Sequence, residues 1–416
     1  MYSQKKTIFY GWKVVNALFW INATLMGPFC VFGVFFKPLE AYFNVSRATT
    51  SSIISVYTAI TAGVGVLGGW ALDRFGPRRV ILTMSFLTGA SLLSTSQVHV
   101  IWLFFITYSL LMALGNGALY IASMPIIMRW FERKRGIASG IAMAGVGIGQ
   151  VILAPVATFF IVRLDWHASF LALGLIAWFV AIPLSLVLKR EPMEIGLFPD
   201  GRQSDVEVKH DTRAADAPVI FSTLSVLKTM NFWLITSLQF LLGICLSMVT
   251  THIVPHVMDI GFSAERGATV VSIIGIMSII GNLFWGVVND RIGAKSTVIV
   301  CALGMAAVIA WLTHVSIVWQ IYLVAILYGL TSGGIVSAQA TLFGRTFGIT
   351  HIGKIMGMLN ISWAIGAAVG PIIGGMLFDV VGNYKVAFWI AAIAMIIAAL
   401  MVALVRLKIA VLPDSN

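Results

Sequence analysis

Two short stretches decide how this chain folds: GGWALDRFGPRR, residues Gly68–Arg79, and WGVVNDRIGAK, residues Trp285–Lys295. Gly69, Asp73, Arg74, Gly76 and Arg78 of the first stand 217 positions before Gly286, Asp290, Arg291, Gly293 and Lys295 of the second. The same offset carries into apolar sequence beyond the loops, pairing Gly136, Gly140 and Gly149 with Gly353, Gly357 and Gly366. One offset held through two apolar runs and the loop between them marks a duplicated unit. Within each loop the first glycine suits close approach of two helices and the second a tight turn. The carboxylate and the bases suit charge-assisted contacts with neighbouring helix ends and anionic headgroups. Gly69, Asp73, Arg74, Arg78, Gly286, Asp290 and Arg291 are therefore expected to form a latch that breaks when the conformation changes. The plainer alternative is a positive topology anchor.

Working outward, the sequence around both loops is apolar. Of the 416 residues 59% are hydrophobic and only 10% charged, too little charge to cover a water-facing surface. About 20 apolar residues cross a hydrocarbon core of roughly 30 Å, and the chain holds twelve such runs. They are expected at 11–36, 47–72, 79–98, 100–129, 135–162 and 166–189, then at 230–258, 264–289, 295–314, 317–344, 352–378 and 383–408. The one long polar stretch, KREPMEIGLFPDGRQSDVEVKHDTRAADAP, separates the two sets. The expected organisation is an all-α membrane protein: a six-helix bundle over 1–189, a cytoplasmic linker over 190–229 and a second six-helix bundle over 230–416.

The net charge of +11 is a topology signal rather than a nucleic-acid footprint. Of 27 Lys and Arg residues, 22 fall at the termini, in the linker and in loops on that same side, leaving Lys37, Arg47, Arg163, Arg266 and Lys385 on the other. Positive charge concentrates on the cytoplasmic side, so both termini are expected in the cytoplasm and the chain in the cell (cytoplasmic) membrane, multi-pass. Cys30, Cys245 and Cys301 lie in apolar runs without paired spacing, which argues against a disulfide framework or a zinc site. The first apolar run is of spanning length without an obvious cleavage site, so it is expected to remain as a helix.

The paired loops resemble the signature of the major facilitator superfamily, and with twelve helices and a long middle linker the resemblance covers essentially the whole chain. Within that family, MRWFERKRGIASGIAMAGVGIG (Met128–Gly149), FYGWKVV near the start and EPMEIGLFPDG after helix 6 resemble the bacterial monocarboxylate and oxalate/formate branch. The resemblance implies the major facilitator fold and alternating access between its halves. It further implies a small-molecule substrate, by branch a monocarboxylate, with proton symport or anion exchange as the coupling. Two family cations are missing. The arginine expected on helix 8, four residues before the loop glycine, is Asn282, and the lysine expected near the end of helix 1 is Cys30.

No Asp, Glu, Lys or Arg occupies the central part of any expected helix, where an ionisable group costs at least ~2.5 kcal/mol. The remaining polar candidates for substrate contact are Asn22, Cys30, Asn116, Tyr120, Gln150, Ser247, Asn282, Tyr328, Asn360 and Trp363, with Gln239 beside them. Each has a plainer reading as a hydrogen bond between helices. His252, His256 and Asp259 follow at i, i+4 and i+7 on one stripe of helix 7, around Pro255, and are candidates for proton coupling. Two His at that spacing also fit a metal pair, but no third ligand is evident, so no metal is expected. No nucleophile–base pair marks an enzyme, and no cofactor is expected. The expected function is a secondary carrier of a small organic solute, working as a single chain in the bilayer with protons as the candidate coupling ion. An organic-anion antiporter or an exporter of neutral or amphipathic compounds is the alternative.

Overall fold

The computed structural model describes residues 9–201, 227–347 and 352–406, apart from the side chains at positions 66, 69, 73, 201 and 352–354. The side chains of Gly69 and Asp73, two expected latch residues, and most of the expected linker therefore fall outside the described set. No strand occurs among the described residues, and the regular elements are helices.

Among the described residues twelve long helical spans follow one another, the first six being α1 (Tyr10–Phe43), α2 (Arg47–Phe75), α3 (Pro77–Thr95), α4 (Ile101–Trp130), α5 (Arg135–Arg163) and α6 (Trp166–Val187). After the linker come α7 (Met230–Asp259), α8 (Ala264–Ile292), α9 (Ala294–Leu312), α10 (Val318–Phe347), α11 (Ile352–Val381) and α12 (Lys385–Leu404). Ten are long and apolar enough to cross a membrane; α2 and α3 are of similar length but richer in hydroxyl and basic side chains. Lengths repeat between the two sets: 29 residues in α2 and in α8, 19 in α3 and in α9. At 1.5 Å per residue the longer pair measures about 43 Å and overshoots the hydrocarbon, whereas the shorter pair, about 28 Å, just spans it.

Two spans are broken. α1 is interrupted at Val31, three residues after Pro28, and resumes at Phe32. Pro28 perturbs the turn before it, which stays helical, so it does not account for the break; at the break the Val31 amide still donates to the Gly27 carbonyl at 3.0 Å and the Pro28 carbonyl accepts from the Tyr108 hydroxyl at 3.2 Å. α4 contains a π-helical stretch, Phe105–Leu110, and a second interruption at Gly117–Ala118. Neither break was read from the sequence. The expected end of helix 1 near residue 36 is corrected to Phe43, and the expected start of helix 3 at 79 to Pro77, which takes the first helical position directly after Gly76.

By internal packing the chain forms two compact units, one from Met1–Thr212 with Thr250–Ile276, the other from Arg213–Val249 with Met277–Asn416. In the first, α1 packs along α5 and α3 along α6; in the second, α9 packs along α12 and α10. The linker's first part is held to the first unit, where Asp200 Oδ2 accepts hydrogen bonds from the Glu132 and Arg133 amides at 3.0 and 2.8 Å.

The duplication is visible at atomic detail. Gly76 (φ 78°, ψ 163°) and Gly293 (φ 83°, ψ 154°), 217 residues apart, turn the chain through the same region, which only glycine enters without strain. A Cβ on Gly149 would stand 2.3 Å from the Ala23 carbonyl oxygen, and one on Gly366 would stand 2.1 Å from that of Phe240. Both partners keep the offset, so the α1–α5 contact of the first unit recurs as the α7–α11 contact of the second. One helical turn away, Gly145 touches the Phe19 carbonyl while its counterpart Ser362 donates to the Thr236 carbonyl at 2.9 Å. The next turn exchanges sides: Gly27 faces Leu153 in the first unit, and Gly370 faces Ile244 in the second. The first glycine of the second loop behaves otherwise: a Cβ on Gly286 would meet open space, so the expected close approach there is not present.

Gly149→Ala and Gly366→Ala are each expected to destabilise the protein by about 1–3 kcal/mol through overpacking. Gly140→Ala, where a Cβ meets nothing within 4 Å, is expected to be neutral or to stabilise by about 0.5 kcal/mol. Melting curves of detergent-solubilised protein separate the two classes.

Candidate functional site

The break in α1 opens the most suggestive space in the first unit. A cavity with about 70 Å³ open to water-sized molecules is lined by Phe29, Cys30, Phe32 and Gly33 around the break, with Ile54 of α2, Gln150 of α5 and Thr250 and Thr251 of α7. α7 reaches the cavity because Gly33 lets its backbone come close: a Cβ there would meet the Thr250 carbonyl oxygen at 3.0 Å. The lining holds no charged group. Its polar functions are a thiol, two hydroxyls and a carboxamide, set against apolar rings.

Of the sequence-predicted binding residues, the structure brings Cys30 and Gln150 together in this cavity. Two others are committed elsewhere in the first unit. Asn22 donates to the Ala142 carbonyl at 3.0 Å, and Asn116 donates to the Leu25 carbonyl at 2.8 Å while accepting from the Tyr57 hydroxyl at 2.7 Å. Both asparagines are 1% exposed, so each serves as a hydrogen-bonded tie between helices. Tyr120 is exposed. In the second unit Ser247 and Tyr328 are buried, the Tyr328 hydroxyl having no hydrogen-bond partner among the described residues. Asn282 and Asn360 are exposed, and Trp363 is half-buried with its carbonyl against Gly243. Gln239, buried, accepts from Gln339 at 2.7 Å.

The His252, His256 and Asp259 stripe divides. His252 is buried, its Nε2 3.4 Å from the Ser51 hydroxyl and its ring edge-on to Phe36 at 5.3 Å. His256 is buried one turn further on. Asp259 turns to cations instead: Lys37 Nζ lies 2.6 Å from Oδ1, and Arg47 holds both oxygens, through Nη1 on Oδ2 and Nη2 on Oδ1 at 3.0 Å. Glu40 completes the cluster by accepting from Arg47 Nε at 3.1 Å. The loop residues Arg74, Arg78, Asp290 and Arg291 are exposed and form no ion pair among the described residues; Arg74 lies over the Trp70 and Phe75 rings.

Sequence reasoning passed over Tyr57, Thr250, Thr251, Lys37 and Arg47. The last two were visible as members of the sparse set of five cations opposite the termini. The hydroxyls carried no signal, because Ser and Thr are common throughout these helices. A larger groove of about 370 Å³, between the Arg163 end of α5 and the Glu265 end of α8, sits at helix ends and is lined by Pro155, Phe159 and Val162 beside those two charged residues.

Asn116→Ala leaves the Tyr57 hydroxyl and the Leu25 carbonyl without their partner and is expected to cost about 1–3 kcal/mol of stability. Asn282→Ala, at an exposed position, is expected to stay within about 0.5 kcal/mol of the parent. Thermal unfolding of the two variants checks both.

The family model described as Major Facilitator Superfamily matches residues 15–286 and 259–414. Monocarboxylate transporter 12 of Xenopus laevis is 24% identical, the match covering 96% of this chain and 89% of that protein. Monocarboxylate transporter 13 of Bos taurus is also 24% identical, with 92% and 86% covered. Among solved structures, the D-xylose–proton symporter superposes with a TM-score of 0.73 at 17% identity, covering 95% of this chain and 98% of that one. The partially occluded inward-open form of the xylose transporter XylE from E. coli gives 0.74 at 16%, covering 96% and 98%.

Proposed function

The chain belongs to the major facilitator superfamily and is a multi-pass membrane transporter of a small molecule, not an enzyme; we propose that its solute is a short monocarboxylic acid, taken through the membrane together with a proton. The observation that carries the reading is the uncharged cavity at the break in α1. Discontinuous helices build solute sites in transporters because freed backbone groups there can face a ligand. One water needs about 10–15 Å³ of such space, so the cavity suits a solute of about five heavy atoms. Desolvating a bare carboxylate among thiol, hydroxyl and amide groups is strongly unfavourable, whereas a protonated carboxyl needs only ordinary hydrogen bonds. A cavity without the family's two cations thus fits the acid in its neutral form, and the proton travels on the solute. The relatives named monocarboxylate transporters support the substrate class.

His252 directly follows Thr251 on α7 and His256 lies about one turn further on, where an imidazole can take up a proton and pass it to the arriving solute. The positive-inside bias puts both termini in the cytoplasm of a cell-membrane protein and the Asp259 end of α7 outside. A single chain, in two bundles over 1–189 and 230–416, is the working unit, its bundles alternating access with the DRxG loops as inner latch. The absence of charge in the cavity also favours a second reading, export of a neutral compound.

In proteoliposomes, an inwardly directed proton gradient is expected to drive accumulation of labelled lactate, and Gln150→Ala to raise the half-saturation concentration about tenfold, one lost hydrogen bond to the solute. Lactate uptake indifferent to the gradient would remove the proton, and no uptake of any short-chain acid would remove the substrate class. The His252→Gln/His256→Gln pair is expected to shift the pH dependence of uptake; an unchanged profile takes the histidines out of the proton path.

A further inference from the structure

The ion cluster at the far end of α7 does more than close a helix end. Arg47 presents its guanidinium edge to Asp259 with its side chain only 7% exposed, and Lys37 reaches the same carboxylate from α1. Two cations from two helices converging on one carboxylate, with the bidentate fork that guanidinium and carboxylate share, make a receptor shaped for that group. Glu40 neutralises one of the two positive charges, leaving the other for the bound anion. The receptor lies beyond the cavity along both α1 and α7. Lys37 is one turn beyond Gly33 of the cavity lining, and Asp259 is eight residues, about 12 Å of helix, beyond Thr251. His252 and His256 occupy the intervening stretch of α7.

We propose that Lys37 and Arg47 form a carboxylate-binding site at the mouth of the cavity, filled in this structure by the chain's own Asp259, and that an incoming monocarboxylate anion competes with Asp259 for it. The inference rests on the proposed substrate class and deepens it, since the anion is captured before it enters the uncharged cavity as the neutral acid. Displacing Asp259 frees the end of α7 from α1 and α2, so binding and opening are one event. Asp259 acts as a lid whose closing contact has the chemistry of the solute.

The test is chemical rescue of the full chain in detergent. Asp259→Ala leaves a carboxylate-sized gap between two cations; its melting temperature is expected to fall, and formate to restore at least half of the loss while chloride at equal ionic strength does not. Wild-type protein, where formate must compete with Asp259, is expected to show a much smaller formate-specific shift than Asp259→Ala, and Lys37→Gln combined with Asp259→Ala to lose the rescue. Asp259→Asn keeps the side-chain volume without the charge and is expected to bind lactate about tenfold more tightly than wild type by calorimetry. Formate acting no better than chloride on Asp259→Ala overturns the proposal, as does unchanged or weaker lactate binding by Asp259→Asn. Formate rescue in a protein whose wild type takes up no monocarboxylate upholds the site and removes the substrate reading. Normal lactate uptake without rescue removes the site alone.

Discussion

Helices in hydrocarbon gain nothing by hiding apolar side chains from one another, so their association depends on how closely their backbones approach. In this protein that approach is set where Gly149 meets the Ala23 carbonyl and Gly366 meets that of Phe240. A methyl group at either place would overlap a main-chain oxygen, so the small side chain sets the helix spacing of each unit. The neighbouring turns show that the spacing, and not the residue, is what the duplication kept. A glycine contact in one unit becomes a serine hydrogen bond in the other, and a glycine on α1 facing a leucine on α5 becomes an isoleucine on α7 facing a glycine on α11.

With helix spacing set this way, polar groups fall into two kinds. Asn22 and Asn116 meet carbonyls of neighbouring helices and are consumed by them, because an amide without a partner at membrane depth is unfavourable. Cys30, Gln150, Thr250 and Thr251 instead surround the space left by the break in α1. The difference lies in backbone continuity. An intact helix satisfies its own peptide groups and asks only for side-chain ties, whereas a broken one leaves room beside it.

Charge follows the same economy of placement. The cavity is uncharged, and the cations on the side away from the termini are held at helix ends, where Lys37 and Arg47 share Asp259. An ion pair at that depth keeps partial access to water and avoids the full desolvation that a charge beside Gln150 would meet.

Much of the architecture was legible in the sequence, because run length and charge bias answer directly to the thickness and polarity of a bilayer and the 217-residue offset survives any detail of packing. Gly76 and Gly293 were readable for the same reason, a backbone shape open to one residue type. The spacing of His252, His256 and Asp259 gives a helix stripe, but helical spacing says nothing about which neighbour each residue meets. Asn116 looked like a contact residue between two glycines; those glycines bring α4 against other helices, and the amide is spent on Tyr57 and Leu25. What the sequence by itself determined is the number, order and duplication of the spans, since each depends on local composition against a uniform solvent. Which polar side chains are tied and which face a cavity, and that Asp259 pairs with Lys37 and Arg47, only the tertiary structure decided. Those outcomes depend on where α1 breaks and which residue, more than 200 positions away, the folded chain brings within hydrogen-bond reach.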